Sequence, residues 1–151
     1  MPRCDPSDLI SLLSSRGLTM SAAESCTGGL IGATITSVPG ASAVFLGSAV
    51  TYSNGAKVSI LGVSEDTLAS HGAVSTETAR EMAQGAVRAF SSDVSVAVTG
   101  IAGPGGAVPG KPVGTVCIAV SDGCRTIASR FVFDGDRKTL RHINRNPDGK
   151  N

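Results

Sequence analysis

Apolar positions along this chain recur in two alternating rhythms, a helical stripe and a short extended run, and the alternation predicts the elements. Leu9, Ile10, Leu12 and Leu13 form a helical stripe within residues 8–16, and Gly17 stands where a C-terminal cap belongs. Residues 18–24 then read as a strand ending in Ser25-Cys26-Thr27-Gly28-Gly29, after which residues 30–38 (LIGATITSV) place small and apolar side chains at helical spacing. That is a strand, a tight turn and a helix. Residues 45–53 (FLGSAVTYS) are rich in β-formers and predict a second strand, followed by Asn54-Gly55 and a short helix over residues 57–61.

Ser75 is placed to cap a long helix running to about Phe90, with Glu77 in its first turn and Ala79, Met82, Ala83, Ala86, Val87 and Phe90 on the buried face. Residues 94–98 form a continuous apolar strand. Residues 103–112 (GPGGAVPGKP) hold too much Gly and Pro for a regular element and predict a constrained loop. Two further strands, 115–120 and 126–133, flank Ser121-Asp122-Gly123 and predict an antiparallel hairpin; a last helix begins near Asp136. Strands alternating with helices and closing on a hairpin imply an α/β fold, a three-layer α/β/α sandwich with a mixed, mostly parallel sheet. The predicted domain is 1–143, and the polar segment 144–151, broken by Pro147, is expected to be a disordered tail.

Composition narrows the picture. The chain has 151 residues, the size of one domain, and is 41% hydrophobic but only 3% aromatic, so its core must be built from Val, Ala, Ile and Leu. A net charge of +1 supplies no broad field for nucleic acid or an anionic membrane, so an anionic ligand must be met by local donors. Cys4, Cys26, Cys117 and Cys124 form no CxxC pair and no zinc-spaced cluster with His. With no signal-peptide apolar region and no run of membrane-spanning length, the expectation is a cytoplasmic protein without a metal.

Four features could carry chemistry. Ser25 sits where a strand turns into a helix start, where a side chain is exposed and unpaired amides could hold a developing oxyanion; taken alone, such a turn more often has Ser25 or Thr27 simply capping the helix. Lys57 follows Tyr52 by five residues, across a turn, and can serve as a base only if it points inward and loses solvation. That spacing is one residue too long for a dehydrogenase Tyr-x-x-x-Lys pair. Residues 105–111 (GGAVPGK) imitate a P-loop, but Pro112 replaces the magnesium-binding Ser/Thr and a strand follows where a helix is required, so no triphosphatase is expected. The loop's Gly103 and Gly105 could still line a pocket, as could Thr99 at a strand's carboxyl end. Arg137 could grip a phosphate or carboxylate, or pair with Asp134 or Asp136. His71, between a Ser and a Gly, reads as a helix-end residue.

Taken together, AESCTGG (23–29), VTYSNGAK (50–57), GVSEDTLASHGAVS (62–75), VTGIAGPGG (98–106), KPVGTV (111–116) and FDGDR (133–137) resemble one family. It is the C-terminal domain of the competence/damage-inducible protein CinA, whose stand-alone forms are nicotinamide-mononucleotide amidohydrolases. The resemblance implies hydrolysis of the carboxamide of nicotinamide mononucleotide to nicotinic acid mononucleotide and ammonia, without cofactor. It implies Ser25 and Lys57 as the catalytic pair with Tyr52 in support, and Ser42 of Gly40-Ala41-Ser42 as a second candidate nucleophile. It also implies substrate contacts from Thr27, Gly28, Gly29, Ser42, Thr99, Gly103, Gly105 and Arg137. The expected partner is the small nucleotide, not nucleic acid or membrane, and the chain is expected to be a homo-oligomer. Two departures stand against the family pattern. No nucleotide-processing domain is expected before residue 1, and after the GDR segment the sequence reads RHINRNPDGKN in place of the family's amphipathic last helix, which is expected to weaken any oligomer contact that helix makes. The rival function is a non-catalytic module of the same fold that binds a nucleotide or a partner.

Overall fold

In the computed structural model, which describes residues 5–142, helix α1 (Pro6–Arg16) opens on a capping box: the Asp5 carboxylate accepts from the Ser7 amide at 2.9 Å, and Asp8 accepts from the Asp5 amide at 3.3 Å. It stops at Gly17, whose φ of 64° is the expected left-handed cap. Strand β1 (Met20–Glu24) leads through the turn 25–29 into α2 (Leu30–Thr36), and a single 3₁₀ turn (Ala41–Ala43) leads into β2 (Phe45–Val50). Then come α3 (Asn54–Leu61), α4 (Glu65–His71), α5 (Thr76–Phe90), β3 (Val94–Gly100), β4 (Thr115–Ser121), β5 (Thr126–Val132) and α6 (Arg137–His142).

The five strands form one sheet in the order β2-β1-β3-β4-β5. β1 pairs parallel with β2 and β3, while β3–β4 and β4–β5 are antiparallel. The sheet is therefore mixed, as expected. Its ladders divide evenly between the two kinds, yet every strand except β4 points the same way, and four carboxyl ends share one edge.

Helix α5 lies across all five strands on one face, with α3 and α4 packed against it. Its Ala79, Met82, Ala83 and Ala86 are fully buried on Ala23, Ala97, Cys117 and Ala119 of the sheet. Small side chains on both surfaces let the helix sit close, which is how a chain with 3% aromatics fills its core. Against α3 the helix comes in close at Gly85, where a Cβ would stand 2.0 Å from the Leu61 carbonyl oxygen. On the other face α1 and α2 bury Ile10, Leu13 and Ile35 against Met20, Val94 and Val96. Beyond them that face of β4 and β5 leaves Val120, Ile127 and Phe131 exposed, beside an apolar groove of about 440 Å³.

Three boundaries depart from the sequence reading for physical reasons. β2 ends at Val50 rather than Ser53, because Thr51, Tyr52 and Ser53 turn away to hold the next helix. α3 starts at Asn54 rather than Lys57, since the Ser53 hydroxyl accepts from the Ala56 amide at 3.1 Å and caps it. Of α4 the sequence marks only the end, at His71: the helix has no buried residue, so its apolar stripe is nearly absent. The predicted tail 144–151 and Cys4 lie outside the described residues. Among the described residues no helix is long and apolar enough to cross a membrane, and no cluster of His, Cys, Asp and Glu could hold a metal ion.

Candidate active site

The shared edge of strand ends gathers the chemistry. Ser25 follows β1, Tyr52 follows β2, Thr99 lies at the end of β3, and Arg137 opens α6 just after β5. With Lys57 they line a cleft of about 250 Å³, together with Cys26, Ala73, Val74, Gly100 and Ala102. Ligands of open α/β sheets collect at this edge, because loops leaving the strands diverge there. The larger apolar groove on the α1/α2 face holds neither Ser25 nor Lys57.

Lys57 points inward because α3 presents it on the same face as Leu61, one turn on; the two are 1% and 2% exposed. Its Nζ lies 3.0 Å from Ser25 Oγ, 2.7 Å from the Thr51 carbonyl oxygen and 3.3 Å from the Tyr52 carbonyl oxygen. No carboxylate is among these partners. Burial therefore pushes the Lys57 pKa down from its ordinary 10.5, with only a small opposing effect from the Cys26 thiol group. A neutral amine has two N–H groups and one lone pair. Two N–H groups suit the two carbonyls, which leaves the lone pair for the Ser25 hydroxyl. Cys26 also lines the cleft, and burial raises its pKa, which favours the less nucleophilic thiol.

The turn itself is built around a residue that the sequence reading passed over. Glu24, fully buried, accepts five hydrogen bonds on its carboxylate: from Thr27 Oγ1 at 2.7 Å, from the amides of Gly29, Ile31 and Gly32 at 3.1, 2.9 and 3.1 Å, and from Ser48 Oγ at 2.6 Å. Burial raises its pKa, but these hydrogen bonds outweigh burial and the net shift is downward. The carboxylate thus takes up the free amides at the N-terminus of α2.

Part of the expected contact set lies outside this cleft. The Thr27 side chain and the Gly29 amide are turned to Glu24, and the Gly28 amide donates to the Ser25 carbonyl at 3.1 Å. Neither they nor Gly103 and Gly105 line the cleft. Ser42 is placed elsewhere altogether: it is exposed in the 3₁₀ turn before β2, at the strands' amino ends, whereas Ser25 follows their carboxyl ends. A five-residue strand separates the two serines.

At the mouth, Arg137 donates from NH1 to the Gly103 carbonyl at 2.9 Å and from NH2 to the Tyr52 hydroxyl at 3.0 Å. It pairs with neither Asp134 nor Asp136; Asp136 instead accepts from the Thr139 amide and caps α6. Tyr52 is 63% exposed, so its hydroxyl serves Arg137 while its carbonyl serves Lys57. Thr99 is buried and donates to the Ala73 carbonyl at 2.8 Å, which fixes the loop before α5 against the cleft. His71 ends α4, as expected, 3.8 Å from Glu77 and outside the cleft. Glu24 has one usable signal, a carboxylate just before a Ser-x-Thr-Gly-Gly turn; the loop residues Ala73 and Val74 have none of that kind.

The same arrangement of chain is found in known proteins. In sequence, the chain is 54% identical over 134 residues to a CinA-like protein of Chlorobaculum tepidum, covering 85% of this chain and 32% of that one. It is 55% identical over 130 residues to a CinA-like protein of Chloroherpeton thalassium, covering 83% and 31%. The chain thus spans about a third of the length of these relatives. In structure, it is similar to the competence/damage-inducible protein CihA of Agrobacterium tumefaciens, with a TM-score of 0.88 at 42% identity, covering 92% of this chain and 86% of that one. It is equally similar to the competence damage-inducible protein A (ComA) of Klebsiella pneumoniae, with a TM-score of 0.89 at 35% identity over the same shares. Residues 6–145 match the CinA C-terminal domain, and to that family the chain belongs.

Proposed function

We propose that this domain hydrolyses the carboxamide of nicotinamide mononucleotide, giving nicotinic acid mononucleotide and ammonia. The observation that carries the reading is the buried Lys57 amine 3.0 Å from the Ser25 hydroxyl, with no carboxylate to hold its charge. Family membership agrees with the fold and the motifs, and the substrate is our inference.

In the first half-reaction Lys57 Nζ takes the Ser25 proton as Oγ bonds to the amide carbon. The tetrahedral oxyanion collapses, the C–N bond breaks, and the proton on Lys57 leaves with the nitrogen as ammonia. In the second, water loses a proton to Lys57 and attacks the acyl carbon; the ester C–O bond breaks and Ser25 Oγ recovers its proton. The Tyr52 and Thr51 carbonyls hold the amine on line throughout. Arg137 keeps unused guanidinium donors at the exposed mouth, where the ribose phosphate of a ring-first substrate would lie.

The test is ammonia release measured on nicotinamide mononucleotide and on free nicotinamide side by side. Turnover of the nucleotide at a kcat/KM well above that of the free base supports the reading. Saturable nucleotide binding without ammonia would overturn it in favour of the binding module.

A further inference from the structure

An oxyanion hole needs amides that are free and held in place. Around Ser25 the amides can be accounted for one by one. Ser25 N–H donates to the Val98 carbonyl, Gly28 N–H to the Ser25 carbonyl, and Leu30 N–H to the Thr27 carbonyl, each at 3.1 Å. Gly29, Ile31 and Gly32 donate to Glu24. The amides of Cys26 and Thr27 donate to no other residue among the described ones: the Cys26 amide has only its own thiol beside it, and of the two residues Cys26 lines the cleft.

Their direction follows from the planarity of the peptide. In a trans peptide the C=O and the next N–H point opposite ways. The Ser25 carbonyl is tied to Gly28 N–H, which turns Cys26 N–H the other way. The Cys26 carbonyl is tied to Arg141, whose Nε donates to it at 3.2 Å, which turns Thr27 N–H away from α6. Arg141 is half-buried and its guanidinium lies over Gly28, so close that a Cβ there would stand 3.0 Å from NH2. Arg137 and Arg141 are one turn apart on α6 and so share a face, the first reaching the cleft mouth and the second the back of the nucleophile turn.

We propose that Arg141 is a positioning residue: by holding the Cys26 carbonyl it fixes the turn after Ser25 and so sets the Cys26 amide as an oxyanion donor. The inference rests on the amide-hydrolase reading of the cleft.

The experiment compares the parent with Arg141→Ala, Arg141→Gln and Arg141→Lys in two assays. One is steady-state ammonia release from nicotinamide mononucleotide. The other is labelling by a fluorophosphonate, in which an Oγ–P bond forms at Ser25, fluoride leaves, and Lys57 takes the proton. Removing the guanidinium should lower kcat by about tenfold to a hundredfold and leave KM within about threefold, a loss confined to the transition state. Labelling should slow in parallel, and added guanidinium ion should restore part of both rates in Arg141→Ala. Parent-like rates in a folded variant would overturn the proposal. So would losses that track melting temperature across the three variants without guanidinium rescue, which would make Arg141 a support of the fold only. A parent that neither turns over nor labels would overturn the hydrolase reading and this inference with it, whereas an active parent with indifferent variants overturns this inference alone.

Discussion

Replacing Glu24 with Gln removes one negative charge from a site where five donors converge, and the structure says what each donor then meets. Oε1 takes Thr27 Oγ1, Gly29 N–H and Ile31 N–H, while Oε2 takes Gly32 N–H and Ser48 Oγ. In the variant an amide oxygen can serve the first group, but an NH₂ must replace Oε2. Ser48 can turn its hydroxyl to accept; Gly32 N–H cannot and is left facing another donor. One orphaned buried amide plus loss of charge assistance on the remaining bonds comes to about 3 kcal/mol. For a chain of this length that lowers Tm by roughly 9 °C. The effect also has a pH signature. The Glu24 carboxyl titrates below its ordinary 4.5 in the fold, so its contribution is complete above that pH and is lost as pH falls through the lower folded value. Thermal melts of parent and variant from pH 7 to pH 3 should therefore show a wide gap at neutral pH that narrows in acid. A Tm within a degree or two of the parent, or a gap that stays constant with pH, would refute this account of the turn.

Lys57→Arg should be nearly inactive, because a guanidinium cannot give up its proton, and the parent's kcat/KM should rise with pH through an apparent pKa below 10.5, since burial favours the neutral amine that must accept the Ser25 proton. An active arginine variant, or a rate falling with pH, would identify a different base. Arg137→Ala should raise KM for the nucleotide by about tenfold to a hundredfold with a smaller change in kcat, and leave free nicotinamide nearly indifferent, as steady-state kinetics on the two will show. Gly85→Ala should lower Tm by roughly 3–9 °C or more, because its Cβ meets the Leu61 carbonyl at 2.0 Å and α5 must move off α3.

What the chain's pattern made legible was the framework. The 3.6-residue stripe from Ala79 to Ala86, the apolar run 94–98 and the Ser-Asp-Gly turn before Thr126 each named an element in the right place. Ser25, Tyr52, Lys57, Thr99 and Arg137, scattered over more than a hundred residues, do meet in one cleft. Strand direction explains why: each follows or ends a strand, or opens a helix after one, at the same edge of the sheet. The failures share a cause too. Glu24 reads as an ordinary strand residue until the fold closes Ser48 and α2 around it, and Arg141 reads as one of several cations near the end of the chain. Long-range hydrogen bonding has no sequence period. Ser42 stands at the other end of the sheet from Ser25, which its motif does not tell, because a motif carries residue type without saying which end of the sheet it occupies.

The central claim is that Ser25 attacks an amide carbon with Lys57 as its base. Ammonia release from nicotinamide mononucleotide by Ser25→Ala, a variant that removes one hydroxyl and should melt close to the parent, tests it most directly. Loss of kcat by about three orders of magnitude or more, with nucleotide binding retained, is the predicted result. Turnover within a few-fold of the parent would contradict it.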